Sequence, residues 1–133
     1  NKYGRAIAYL RAGRNNEANQ IFEDLLNRDH QVIAYHIGLA QAQLALERIA
    51  ESAATFERAI ELFPRNVPLV VHYAEALLQL EEPDKAHKLL LDLLNNVPPT
   101  PEQVRLIARA AVDAGSRFVA AHAGAAHSHG DGR

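Results

Sequence analysis

Cysteine, methionine and tryptophan are absent from the 133 residues, and four Tyr with four Phe supply all of the benzenoid aromatic surface. Without cysteine there is no disulfide, no thiolate metal site and no cysteine nucleophile, and the composition fits an oxidising and a reducing compartment equally well. A basic stripe is also missing. The formal net charge is −2, and residues 1–66 hold eight basic and eight acidic side chains, so nucleic acid is not an expected partner. Apolar residues never run uninterrupted for the eighteen or so that a membrane span requires, and no charged start leads into an apolar signal segment, so direct membrane insertion is not expected. Met is missing even at position 1, and the chain opens in mid-pattern with NKYGRAIAYL, which leads us to expect a segment excised from a longer precursor. Strand signals are lacking as well: there are no alternating Val, Ile or Thr runs and no Asn-Gly hairpin turns.

What the chain does contain is a repeat. Shifted by 34 against itself, it brings Gly4 onto Gly38, Ala6 onto Ala40, Ala8 onto Ala42, Leu10 onto Leu44 and Phe22 onto Phe56. The same shift carries Ala40 to Ala74, Ala42 to Ala76, Leu44 to Leu78 and Pro64 to Pro98. Each unit divides into two amphipathic stretches of roughly 12 to 15 residues with apolar positions at helical spacing. The pairs are KYGRAIAYLRAG with NEANQIFEDLLNR, VIAYHIGLAQAQLAL with IAESAATFERAIELF, and PLVVHYAEALLQL with PDKAHKLLLDLLNN. The expected fold is all-α, with about seven to eight helices.

Small residues mark where paired helices approach. Ala6, Ala40 and Ala74 recur on the first helix of each pair, and Ala18, Ser52 and Ala86 on the second. Phe22, Phe56 and Leu90 fill the space four residues on, and Leu25, Ala59 and Leu93 face the following unit. Turn chemistry agrees: Pro83 suits a first helical turn, where its missing N–H costs no bond, and Thr100 with Gln103 makes a capping box for another helix. Pro64 and Pro98 are expected stops.

A 34-residue helix-turn-helix unit with a small residue, Phe four positions later and Pro eight beyond it resembles the tetratricopeptide repeat. The resemblance covers residues 1–98 as repeats over 1–30, 31–64 and 65–98. It departs from the family pattern in lacking the first-helix Trp, in placing Ala for Gly at 6, 40 and 74, and in carrying His30 where Pro is usual. Residues 99–122 are expected as a degenerate fourth helix pair, because no Leu follows Leu106, and residues 123–133 as a flexible His-, Gly- and Ala-rich tail. The resemblance implies a right-handed α-solenoid of antiparallel helix pairs with a concave groove lined by the first helices. The implied lining residues are Tyr3, Gly4, Ile7 and Arg11, then Ile37, Gly38, Gln41 and Ala45, then Val71, His72, Glu75 and Gln79, followed by Arg105 and Arg109. That lining suits a protein or peptide ligand laid along it, extended or helical. Apolar Ile7, Ile37 and Val71 serve equally as half-buried supports for the next helix. The Lys and Asn clamp with which some repeats of the family hold a C-terminal carboxylate is missing, since Tyr3, Ile7, Ile37 and Gln41 stand at its positions.

A narrower resemblance rests on YGRAIAYLRAGRNNEA and EALLQLEEPDKAHKLLLDLL. These are similar to the repeat region of BepA-like periplasmic zinc metalloproteases, and imply a partner-binding module in outer-membrane protein assembly. The HExxH metal motif of such proteases is absent from this chain, so any peptidase chemistry would lie outside it. The alternative is a free-standing or differently fused assembly adaptor, with self-association through the C-terminal end as a further reading. No cofactor, metal site or catalytic residue is expected. His122, His127 and His129 lack the fixed further ligands that a closed zinc site needs, His36 and His72 read as satisfied surface or half-buried histidines on first helices, and the acidic side chains fall on solvated helix faces. Gly4 and Gly38, each costing about 1 kcal/mol relative to Ala inside a helix, imply either close ligand approach or tight packing, and packing is the preferred explanation.

Overall fold

The helical spacing read from the sequence is realised as seven α-helices in the computed structural model, which describes residues 1–96 and 100–130, with side chains through residue 116. They are α1 (Lys2–Arg11), α2 (Asn15–Arg28), α3 (Ile33–Ala45), α4 (Ile49–Leu62), α5 (Val67–Gln79), α6 (Pro83–Asn96) and α7 (Pro101–Gly130). No strand occurs among the described residues. The chain forms two units, Asn1–Leu69 and Val70–Arg133, the division falling just inside α5.

In the first unit the α1–α2 turn shows how the repeat is punctuated. Gly13 takes φ +79°, its N–H donates to the Leu10 carbonyl at 3.2 Å, and the Arg14 N–H reaches back to the Tyr9 carbonyl at 2.8 Å. This is the left-handed C-terminal closure that glycine makes easily. One repeat later Glu47 adopts φ 62°, with Arg48 N–H donating to Gln43 O at 2.9 Å; in the second unit Glu81 adopts φ 61°, with Glu82 N–H donating to Leu77 O at 2.9 Å. The turn geometry is thus repeated more faithfully than the residue that suits it.

The small positions act as expected. Ala6, Ala18, Ala40 and Ala59 are fully buried, and so is Phe22, which shares a core cluster with Ala6 and Ala18. Gly38 lies directly under the Phe22 ring: a Cβ built on it would stand 2.3 Å from Cε1 of that ring. The packing explanation of this glycine is therefore the one the geometry supports. Ser52 does more than stay small, because its hydroxyl donates to the Ala40 carbonyl at 2.8 Å and ties α4 to α3. Across the α1–α2 hairpin the Lys2 ammonium pairs with the Asp24 carboxylate, which Arg28 also approaches at 3.5 Å.

In the second unit Pro83 opens α6 as its first residue, and Ala86, Leu90 and Leu93 of that helix are buried. Thr100 caps α7 as the sequence predicts: Gln103 N–H donates to Thr100 Oγ1 at 3.2 Å, and Thr100 N–H to Gln103 Oε1 at 3.3 Å. The stop at Pro64 follows the end of α4, whereas Pro98 lies outside the described residues. One expectation is replaced. Instead of a short helix pair over 99–122 followed by a tail, α7 runs unbroken from Pro101 to Gly130. The segment is rich in Ala, the strongest helix former, and holds no proline after its first residue, so nothing in it forces a turn. Residues 131–133 lie outside the described residues.

Candidate functional site

In the first unit, α1 and α3 lie side by side and present Tyr3, Ile7, Ile37 and Gln41, all half-buried, while Arg11 and Ala45 are exposed. The Tyr3 ring is held rather than free. It meets Phe22 edge-on with centroids 6.2 Å apart and Tyr35 at 5.8 Å, so it shares the core beneath α1 as well as the surface above it. Gly4 is exposed, and its N–H donates to the Asn1 side-chain oxygen at 2.6 Å, which caps α1.

The second unit has a cleft of about 460 Å³ between α5, α6 and α7, lined by Ala74, Glu75, Leu78, Leu90, Leu106, Arg109, Ala110 and Asp113. Helical spacing explains the α7 contribution, since 106, 109, 110 and 113 share one face. Leu106 is 45% exposed, an apolar side chain left open at the rim, and Leu78 and Leu90 form a buried apolar floor. Charges of both signs border it through Glu75, Asp113 and Arg109. His72 stands beside Glu75, with Nδ1 3.9 Å from Oε2.

Of the residues predicted from sequence, the cleft gathers Glu75 and Arg109. Gln79 and Arg105 are exposed outside its lining, and Val71 is corrected from groove to core, being 4% exposed. The reason lies in the composition of α5: VPLVVHYAEALLQ is apolar nearly all round, so the helix buries more than one side. Leu78, Leu106 and Asp113 were not among the predicted residues. The i, i+3, i+4, i+7 pattern of Leu106, Arg109, Ala110 and Asp113 was the available signal, but it becomes informative only once α7 is known to lie against α6.

Among the described residues no group of three or more His, Asp or Glu side chains could hold a metal ion, and no helix is long and apolar enough to cross a membrane. The side chains of His122, His127 and His129 lie outside the described residues. His36 is buried, its Nε2 donating to the His30 carbonyl at 2.9 Å and its ring meeting Phe63 edge-on at 5.9 Å.

Searches of known proteins bear on this architecture. Among solved structures, the type III secretion translocator chaperone SycD of Yersinia enterocolitica is similar at 20% identity, over 91% of this chain and 83% of that one, with a TM-score of 0.73. PcrH in complex with the chaperone binding region of PopD is similar at 22% identity over 89% of each chain, with a TM-score of 0.73. A thermophilic TPR protein of Thermus thermophilus is similar at 23% identity, over 90% of this chain and 70% of that one, with a TM-score of 0.68. These likenesses concern the fold. No curated protein sequence matches the chain. Two family profiles, each described as tetratricopeptide repeat, match residues 43–110 and residues 3–67. Since the first of them spans more than half of the chain and both agree with helix hairpins repeating every 34 residues, the protein belongs to the tetratricopeptide repeat family.

Proposed function

We propose that this non-catalytic repeat scaffold binds a protein partner through an apolar-centred peptide segment, extended or helical, seated in the α5–α6–α7 cleft of the second unit. The observation that carries the reading is the open Leu106 beside buried Leu78 and Leu90, bordered by Glu75 and Arg109. An apolar centre with a few flanking polar groups is what a peptide anchor requires: the anchor side chain supplies affinity, and the polar groups set orientation. The fold's likeness to PcrH bound to the chaperone binding region of PopD, and to SycD bound to a peptide of the translocator YopD, supports a peptide rather than a small molecule as ligand. The α1–α3 face of the first unit, with Ile7, Ile37 and Gln41, is proposed as a second contact surface for such a partner.

Affinity capture with the intact chain and with Leu106→Asp tests this reading. Partners captured by the wild type and lost with Leu106→Asp support it, whereas an unchanged set of partners removes the cleft from consideration. A finer proposal, resting on the sequence resemblance, is that the module belongs to a BepA-like protease acting in the periplasm. A parent gene lacking both an HExxH-bearing domain and a signal peptide ahead of these repeats would overturn it in favour of an adaptor. Self-association through the C-terminal end is a separate proposal, and a monomer by light scattering at high concentration would exclude it.

A further inference from the structure

The first unit contains a second cleft, of about 260 Å³, floored by α3 and walled by α2 and α4. It is unrelated to the α1–α3 face. On α3 its floor residues His36, Leu39 and Gln43 lie about 150° around the helix from Ile37 and Gln41. The floor is polar where a core is expected: His36 is 4% exposed, Gln43 6% and the neighbouring Thr55 5%. The chain itself shows the apolar alternative, for the residues 34 positions on from His36 and Gln43 are Val70 and Leu77, both buried. Burying polar groups where the next repeat buries hydrocarbon costs stability unless the groups are hydrogen-bonded.

Their hydrogen bonding is incomplete in a definite way. The Thr55 hydroxyl stands 2.6 Å from Gln43 Oε1 and 2.9 Å from the Glu51 carbonyl and shares its one proton between them, and His36 Nε2 donates to the His30 carbonyl at 2.9 Å. Among the described residues nothing engages Gln43 Nε2, His36 Nδ1 or the Arg58 guanidinium on the cleft wall, and neither floor nitrogen is sealed from solvent. The available groups are therefore two donors, Gln43 Nε2 and Arg58, and two acceptors. One acceptor is Nδ1 of His36 as the Nε2–H tautomer. The other is the Glu23 carboxylate on the opposite wall, whose Oε1 takes a 3.3 Å bond from Asn19 Nδ2 and whose second oxygen is left over. Between them stand Leu26, Leu39 and Leu62.

Spacing decides what can use this set. His36 and Gln43 are seven residues apart, about 10 Å along the helix axis, too far for one amide or carboxylate to bridge. An extended main chain rises about 3.3 Å per residue and offers alternating carbonyl and N–H groups, so about three residues span the gap. We propose that the α2–α3–α4 cleft is a binding site for an extended segment of a protein partner, read through its backbone by Gln43, Arg58, His36 and Glu23, with one apolar side chain lodged among Leu26, Leu39 and Leu62. A repeat scaffold with such a site holds a partner at a place separate from the cleft of its second unit.

The test uses the capped tripeptide Ac-Ala-Leu-Ala-NH2 as probe, titrated into the intact, isotope-labelled protein. Saturable shifts are expected at the Gln43 side-chain amide and the Leu26, Leu39 and Leu62 methyl groups. The double variant His36→Val/Gln43→Leu, which installs the residues found one repeat later, is expected to bind at least about tenfold more weakly, as the loss of two hydrogen bonds implies. Glu57→Gln, exposed on the other side of α4 and outside the cleft lining, is expected to bind as the wild type does. If the double variant does not fold, Arg58→Ala/Glu23→Ala takes its place, with the same weakening expected. The absence of saturable shifts, undiminished binding by the variant read, or equal binding of free leucine would each overturn the proposal, the last because it would show that the peptide main chain is not recognised.

Discussion

At the scale of single residues, sequence and geometry disagree most usefully over glycine. Gly38 could mark the approach of a ligand or the approach of a helix, and the 2.3 Å gap that a Cβ would leave to the Phe22 ring decides for the helix. Phe22 is fully buried and has little room to yield, so Gly38→Ala is expected to destabilise by about 1–3 kcal/mol, despite alanine's better helix propensity. Denaturant unfolding measures it, and a more stable variant would contradict the packing role. The reverse holds at Glu47 and Glu81, where glutamate occupies a left-handed conformation that the equivalent Gly13 adopts freely. Glu47→Gly and Glu81→Gly should each stabilise on the order of 0.5 kcal/mol, the relief of left-handed strain being partly offset by glycine's larger unfolded-state entropy. Both effects should appear as a raised denaturant midpoint with an unchanged slope.

Asp24 provides a pH-dependent case at the same scale. Its hydrogen bond from Lys2, assisted by the charges of Arg28 and Lys2, outweighs desolvation and holds the carboxyl below its ordinary value of 3.8. A carboxylate whose pKa is depressed on folding contributes stability above its unfolded pKa and loses it as pH falls through the folded one. Asp24→Asn should therefore lower stability near neutrality and flatten the acid-side decline, so that wild type and variant converge in unfolding experiments carried well below pH 3.8.

At the scale of elements, the legible part of the sequence was its punctuation. Pro83 at the first position of α6 and the reciprocal Thr100–Gln103 bonds of α7 fall where local chemistry demands, because caps depend on residues within one turn of each other. Thr100→Ala should consequently cost about 1 kcal/mol, seen as fraying of the first turn of α7 by amide hydrogen exchange. Two features were not legible for the opposite reason. The continuity of α7 turns on the absence of any compulsion to bend, and absence carries little weight beside the expectation of another helix pair. The burial of Val71 depends on how many sides of α5 are covered, which a single apolar stripe cannot report. The polar floor of the α2–α3–α4 cleft was likewise hidden: His36 reads as a satisfied histidine, and it is satisfied at Nε2, but its second nitrogen matters only beside Gln43 and Arg58.

For the whole molecule, the 34-residue period that identifies the family says nothing of what it binds, because the residues that keep the period are those that pack. On the reading proposed above, specificity rests on side chains outside that packed set, and one such side chain in the second unit is Leu106, 45% exposed yet lining an apolar cleft. Gly38 and Leu106 therefore separate folding from binding within one chain. Gly38→Ala should lower the melting temperature by several degrees, as about 1–3 kcal/mol does in a domain of this size, and should spare the second-unit cleft at temperatures where the protein remains folded. Leu106→Asp should leave the melting temperature nearly unchanged, since its side chain is already half in water, while placing a charge where the proposed peptide anchor would sit, a change expected to weaken binding at least about tenfold. Melting curves and partner titrations on the same two proteins make the comparison. If Leu106→Asp lowered stability and left affinity intact, the cleft would be a packing defect beside α7 and the partner surface would have to be sought on the α1–α3 face.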